Sequence, residues 1–160
     1  VAVCDKFVRA KSALENGADL VLELPVVFSL SGAEGFAKAG VAIASAFDCT
    51  NHLAFGSESG DCELLKKSAN AVCDERVQAL VRDGMKNGGY YPRELENAVK
   101  MVFGDEISSV LCEPNNILGV EYIKALNGTG VLGCKNRCCT RQPNCGRGLC
   151  VCVTHKRNVA

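Results

Sequence analysis

Apolar residues recur at three- and four-residue spacing along most of this chain, while two short stretches carry apolar residues too densely for a half-exposed helix. The first helix is predicted to start at Asp5, a good capping residue, to run over Phe7, Ala10 and Leu14, and to stop at Asn16-Gly17. Ala18–Leu24 reads as a strand halted by Pro25, and its Val21, Leu22 and Leu24 suit an interior strand covered on both faces. Ser31 and Glu34 have capping-box spacing, and Phe36, Gly40, Ile43, Ala44 and Phe47 then share one helical face. His52–Phe55 reads as a second strand, which completes a β-α-β unit and makes the two strands parallel.

Beyond Gly60 the period is helical. Asp61 precedes Leu64, Leu65, Ala69 and Val72; Asp74 precedes Val77, Leu80, Val81 and Met85, with a stop at Gly88-Gly89. Pro92 suits the first position of another helix, through Leu95, Ala98, Val99 and Val102 to Gly104. A last helix runs from Pro114-Asn115-Asn116 through Leu118, Tyr122 and Ala125 to Asn127-Gly128. The pattern is therefore α/β at the start, with parallel strands over residues 1–60, and mainly helical over 61–130.

Two stretches are candidates for chemistry. The run His52-Leu53-Ala54-Phe55 opens into Gly56-Ser57-Glu58-Ser59-Gly60, and in open α/β sheets ligands bind beyond strand ends of this kind. Gly56 lets a ligand approach the backbone, Ser57 and Ser59 offer hydroxyls, and Asp61 can cap the next helix; the plain alternative is an ordinary strand-to-helix turn. In Pro114-Asn115-Asn116 one asparagine can cap the helix, which leaves the other amide to read a ligand; the alternative is a cap with a solvated neighbour. His52 is read as a strand residue.

Composition adds a division that the net charge of +0 hides. All 18 acidic residues precede Cys134, whereas the stretch after Gly133 holds Lys135, Arg137, Arg141, Arg147, Lys156 and Arg157. Of 11 cysteines, Cys134, Cys138, Cys139, Cys145, Cys150 and Cys152 crowd the same tail; Cys4, Cys49, Cys62, Cys73 and Cys112 are scattered and read as small buried hydrophobes. At 160 residues, 48% of them hydrophobic, the chain can bury one core, and no apolar run reaches the roughly 20 residues of a membrane span. The start lacks a secretory h-region, which places the protein in the cytoplasm, and the absence of Met at position 1 places the natural amino terminus upstream.

Taken together in order, Asp5-Lys6-Phe7-Val8-Arg9-Ala10, Gly17–Pro25, Phe55-Gly56-Ser57-Glu58, Pro114–Gly119 and Glu121–Leu126 resemble the bacterial tRNA(Met) cytidine acetate ligases. The resemblance covers residues 1–126 and implies a partial Rossmann-like nucleotidyltransferase core. It implies an ATP-dependent ligase that activates acetate as acetyl-adenylate and acetylates N4 of the wobble cytidine of elongator tRNA(Met). ATP is then a substrate, magnesium a candidate accompanying ion, and tRNA, acetate and ATP the partners. By the same resemblance Gly56 falls at a nucleotide-contacting glycine, and Asn115 or Asn116 at a nucleotide-contacting asparagine.

The family's His-x-Gly-His phosphate signature is not found between Val1 and Ala160 and is expected upstream, so no catalytic residue is assigned in this chain. The tail, residues 131–160, departs from the family and shows neither helical nor strand period. Zinc ligation by its thiolates and His155 lacks a Cys-x-x-Cys pair, and a disulfide framework does not suit a cytoplasmic setting; a shifted reading frame giving a disordered tail fits better. Two functions compete: a fragment of the ligase, inactive alone, or a non-catalytic nucleotide- or RNA-binding module whose basic Cys-rich tail attracts phosphates. A core lacking its first strand is expected to be of low stability, so the isolated chain should melt no higher than the mesophile range of about 45–65 °C; a cooperative calorimetric transition well above it would contradict this.

Overall fold

The chain was analysed as a computed structural model, which describes residues 4–47, 50, 52–129 and 152–154. Asp5 opens α1 (Lys6–Glu15), its carboxylate accepting the N–H groups of Phe7 and Val8 at 2.8 and 3.0 Å, and the helix ends at Asn16 with Gly17 at φ 100°. The predicted strand over Ala18–Leu24 does not form: among the described residues it joins no sheet. A strand is stabilised by its neighbours, and among the described residues no backbone group of Leu20–Leu24 is hydrogen bonded; Leu20 and Leu22 are 60% and 50% exposed. A short helix α2 (Val26–Ser29) follows, with Val26, Val27 and Phe28 exposed.

Helix α3 (Ala33–Ser45) starts at Gly32, and the Ser31–Glu34 capping box is not made, because Ser31 Oγ donates instead to the carbonyl of Phe28 at 2.7 Å. Its buried residues are Ala37, Ala39, Val41 and Ala44; of the predicted face only Ala44 is buried, while Phe36, Gly40 and Ile43 are half-buried and Phe47 is exposed. Alanine is small enough to let α3 lie close to its neighbour, which a volume-blind periodicity does not register. Strand β1 (His52–Ala54) pairs antiparallel with β2 (Cys152–Thr154), His52 opposite Thr154. The expected parallel β-α-β unit is therefore absent among the described residues, and the tail contributes a strand that its sequence did not signal.

The helical half follows the pattern closely. Helices α4 (Cys62–Cys73) and α5 (Glu75–Lys86) are capped by Asp61 and Asp74, α5 gives way to Gly88 at φ 82°, and α6 (Tyr91–Phe103) carries Pro92 in its first turn and ends at Gly104, φ 90°. A short α7 (Asp105–Ser109) and a 3₁₀ turn (Val110–Cys112) lead to α8 (Pro114–Thr129). No described helix is long and apolar enough to cross a membrane. The scattered cysteines depart from expectation: Cys4, Cys73 and Cys112 are exposed and Cys62 is half-buried. Cys62 and Cys73 are the first and last residues of α4, beyond the reach of the core, while Cys49 lies outside the described residues.

Helix α8 is the member on which the others close, with α3 and α4 packed along it and α5 and α6 packed as a pair beside α4. The core joins Val41, Leu53, Phe55, Leu65, Val72, Val77, Val99, Val120, Tyr122 and Ile123. Tyr122 stacks on Phe55 with ring centroids 5.3 Å apart, and Gly40 of α3 lies against its ring edge. Among the described residues its hydroxyl has no hydrogen-bond partner, and burial pushes the phenol's pKa above its ordinary value. A buried hydroxyl without a partner costs free energy. Tyr122→Phe is therefore expected to leave stability unchanged or raise it by up to about 1 kcal/mol; loss of more than that in chemical denaturation would show that the hydroxyl is paired.

Candidate functional site

The stretch after β1 folds as a loop pinned at both ends. Gly60 takes φ 63°, a left-handed turn, and Asp61 beyond it caps α4 by accepting from the N–H groups of Glu63 and Leu64 at 2.9 and 3.1 Å. Ser57 Oγ accepts the Gly60 N–H at 3.2 Å, which ties the turn internally. Gly56 is exposed; its φ is not positive, and a methyl group placed on it would meet nothing within 4 Å. Neither backbone conformation nor packing within the protein calls for glycine at position 56.

Helix α8 meets this loop through five hydrogen bonds. Asn115 and Asn116 are the second and third residues of α8, not its caps. A helix leaves its first N–H groups unpaired, but Pro114 has none and Ile117 N–H reaches the carbonyl of Glu113 at 3.0 Å, so two remain. Glu58 takes both: Asn115 N–H donates to Oε1 at 3.1 Å and Asn116 N–H to Oε2 at 2.8 Å. Asn115 Nδ2 also donates to Oε1 at 2.8 Å. Asn116 Oδ1 in turn accepts from Ser57 Oγ at 2.6 Å and from the Ser59 N–H at 3.1 Å.

Chemistry fixes the directions of these bonds. Ser57 has one hydroxyl hydrogen, and it goes to Asn116 Oδ1, an acceptor only; across the 2.9 Å contact between the two serines, Ser59 must then donate to Ser57. A carboxylate across the positive end of α8 is also favoured by the helix dipole. Asn116 is 3% exposed and Asn115 is exposed, so one amide stands at the floor of the constellation and one at its rim.

All three residues singled out from the sequence, Gly56, Asn115 and Asn116, are thus brought to one place although 59 residues separate the ends of the Ser57–Asn116 bond. Sequence reasoning gave Glu58 no role. Its signal was a helix start with no capping side chain of its own, together with an acidic residue in a loop already marked as a candidate. His52 opens β1, as read from the sequence, and His155 lies outside the described residues. Two grooves lie elsewhere, one lined by Lys67, Asn70, Asp74, Phe103 and Ile107, the other by Leu80, Asn87, Glu94 and Met101. In the first, the Arg76 guanidinium hydrogen-bonded to Asp74 holds that carboxyl below its usual range.

Residues 1–131 match the model of the HIGH Nucleotidyl Transferase family. The chain belongs to that family. It is 42% identical over 128 residues to the tRNA(Met) cytidine acetate ligase of Caldanaerobacter subterraneus subsp. tengcongensis, a match covering 78% of this chain and 32% of the relative. It is 36% identical over 136 residues to the enzyme of the same name from Halothermothrix orenii, with the same coverage. A crystal structure of Thermotoga maritima TmcAL bound with alpha-thio ATP superposes with a TM-score of 0.73 at 36% identity, over 81% of this chain and 33% of that one. The apo form gives 0.74. The chain spans about a third of the length of these HIGH nucleotidyl transferase relatives.

Within this family member, the approach of α8 to β1 sets where the asparagines stand. A Cβ on Gly119 would come within 2.8 Å of the Phe55 ring, which is itself buried and stacked on Tyr122. Gly119→Ala gains helix propensity but overpacks this contact, and is expected to destabilise by about 1–2 kcal/mol and to shift α8 away from the loop. Urea denaturation checks it; a stabilised variant would show that the ring yields freely.

Proposed function

We propose that this chain forms part of an ATP-dependent ligase that activates acetate as acetyl-adenylate and acetylates N4 of the wobble cytidine in elongator tRNA(Met). The names of the relatives support the reaction class, and the TmcAL structure bound with alpha-thio ATP supports ATP as the nucleotide. The observation that carries the reading to particular residues is the convergence of Gly56 with Asn115 and Asn116 through Glu58 and Ser57. Acetate is a poor acyl donor because its leaving group would be an oxide. Attack of an acetate oxygen on the α-phosphorus expels pyrophosphate and leaves a mixed anhydride; attack of the cytidine amine on its carbonyl then expels AMP, and the amine loses a proton.

In this reading the chain's own residues bind and orient, and no residue of it is assigned to the chemical step. Gly56 offers bare backbone for close approach of the nucleotide, and the amides of Asn115 and Asn116 make directed hydrogen bonds to it. Glu58 is turned to the terminus of α8 and Asp61 to that of α4, and no group of three or more metal-ligating side chains forms among the described residues.

Equilibrium dialysis of the 160-residue chain against labelled ATP tests the nucleotide-binding part of this reading. Gly56→Ala is expected to lower ATP affinity by tenfold or more while leaving the unfolding free energy from urea denaturation within about 0.5 kcal/mol of the parent, since the added methyl meets only the space a ligand would fill. Unchanged ATP affinity in that variant would remove Gly56 from the site.

A further inference from the structure

We infer that Glu58 and Ser57 are positioning residues that fix the hydrogen-bonding polarity of the two asparagines, so that the site presents one amide donor and one amide acceptor. The inference rests on the nucleotide reading above for its consequence, but its geometry stands on the hydrogen bonds alone. The oxygen and nitrogen of an asparagine amide look alike in shape and are told apart by their partners. Here the partners leave no choice. Asn116 faces the Ser59 backbone N–H, which can only donate, so its oxygen points into the loop and its Nδ2 is left over. Asn115 faces the Glu58 carboxylate, which can only accept, so its nitrogen points inward and its Oδ1 is left over.

The two remaining edges are therefore opposite in kind. Nδ2 of Asn116 makes no hydrogen bond within the described residues and belongs to a side chain buried among Ser57, Ser59 and the first turn of α8, so it is held in place rather than free to rotate. Oδ1 of Asn115 makes no hydrogen bond within the described residues and stands at the rim. A ligand edge that meets both must accept from Asn116 and donate to Asn115, as adenine does through a ring nitrogen and its exocyclic amine; the 6-oxo purines present an acceptor where adenine presents the amine. The specificity of the pair thus resides in Glu58 and Ser57, which touch no ligand themselves. Removing the carboxylate, Glu58→Ala, takes away the acceptor that fixes the Asn115 amide and leaves that amide free to turn either edge outward. Ser57→Ala removes one of the two donors that hold Asn116.

Two measurements on the full 160-residue chain test this. In the ligand-free protein, ¹H–¹⁵N spectra of the side-chain amides are expected to show the Asn115 pair displaced in Glu58→Ala, and the Asn116 pair displaced in Ser57→Ala, with the core resonances unmoved. Dialysis with ATP and with inosine triphosphate is expected to show the parent preferring ATP by tenfold or more, and Glu58→Ala reducing that ratio by a similar factor. A loss of fold alone would weaken both nucleotides equally and leave their ratio unchanged. Unmoved Asn115 signals in Glu58→Ala, or an ATP preference that survives it, overturn the inference. Displaced amide signals in a parent that binds neither nucleotide overturn the nucleotide reading and uphold the positioning role.

Discussion

The N–H groups at the start of α8 must find acceptors, and the protein meets that need from a loop nearly sixty residues away. Proline at the first position removes one donor and Glu113 satisfies another, so the demand reduces to the two backbone N–H groups that Glu58 takes. A local capping side chain would have served the helix as well, but it would have left the loop after β1 unattached. Because the acceptor comes from that loop, capping the helix and building the candidate site are one event.

The same helix is fixed laterally by shape. Gly119 lets α8 approach Phe55, Tyr122 stacks on that ring, and Ala37 and Val41 of α3 are buried in the core that α8 completes. Phe55 immediately precedes Gly56, so the packing that seats α8 also sets the height at which the loop leaves the core. Dispersion and apolar burial supply the affinity between these elements, and the Glu58 and Asn116 bonds supply their register. Tyr122 is retained there with an unpaired hydroxyl, which indicates that its ring, not its polar end, is what the packing uses.

Away from α8 the structure is less self-sufficient. Leu20, Leu22 and Val27 are exposed, and among the described residues the segment after α1 joins no sheet, its Glu23 pairing with Lys6 at the surface. Surface ion pairs of this kind contribute little. The chain matches the HIGH nucleotidyl transferase family over residues 1–131 and spans about a third of the length of its relatives, and the part that is packed most completely is the helical part.

The sequence by itself determined α4, α5, α6 and α8, because the start or stop of each is written locally, in Asp61, Asp74, Pro92, Gly104 and Pro114, but it did not signal α7. It also marked Gly56, Asn115 and Asn116. Tertiary structure decided what those marks meant. Whether Ala18–Leu24 becomes a strand depends on a partner that propensity does not supply, and which face of α3 is buried depends on how closely α8 approaches. The role of Glu58 was invisible for the same reason: an exposed carboxylate in a loop has no local signature, and only the arrival of α8 gives it two backbone N–H groups and an amide to hold.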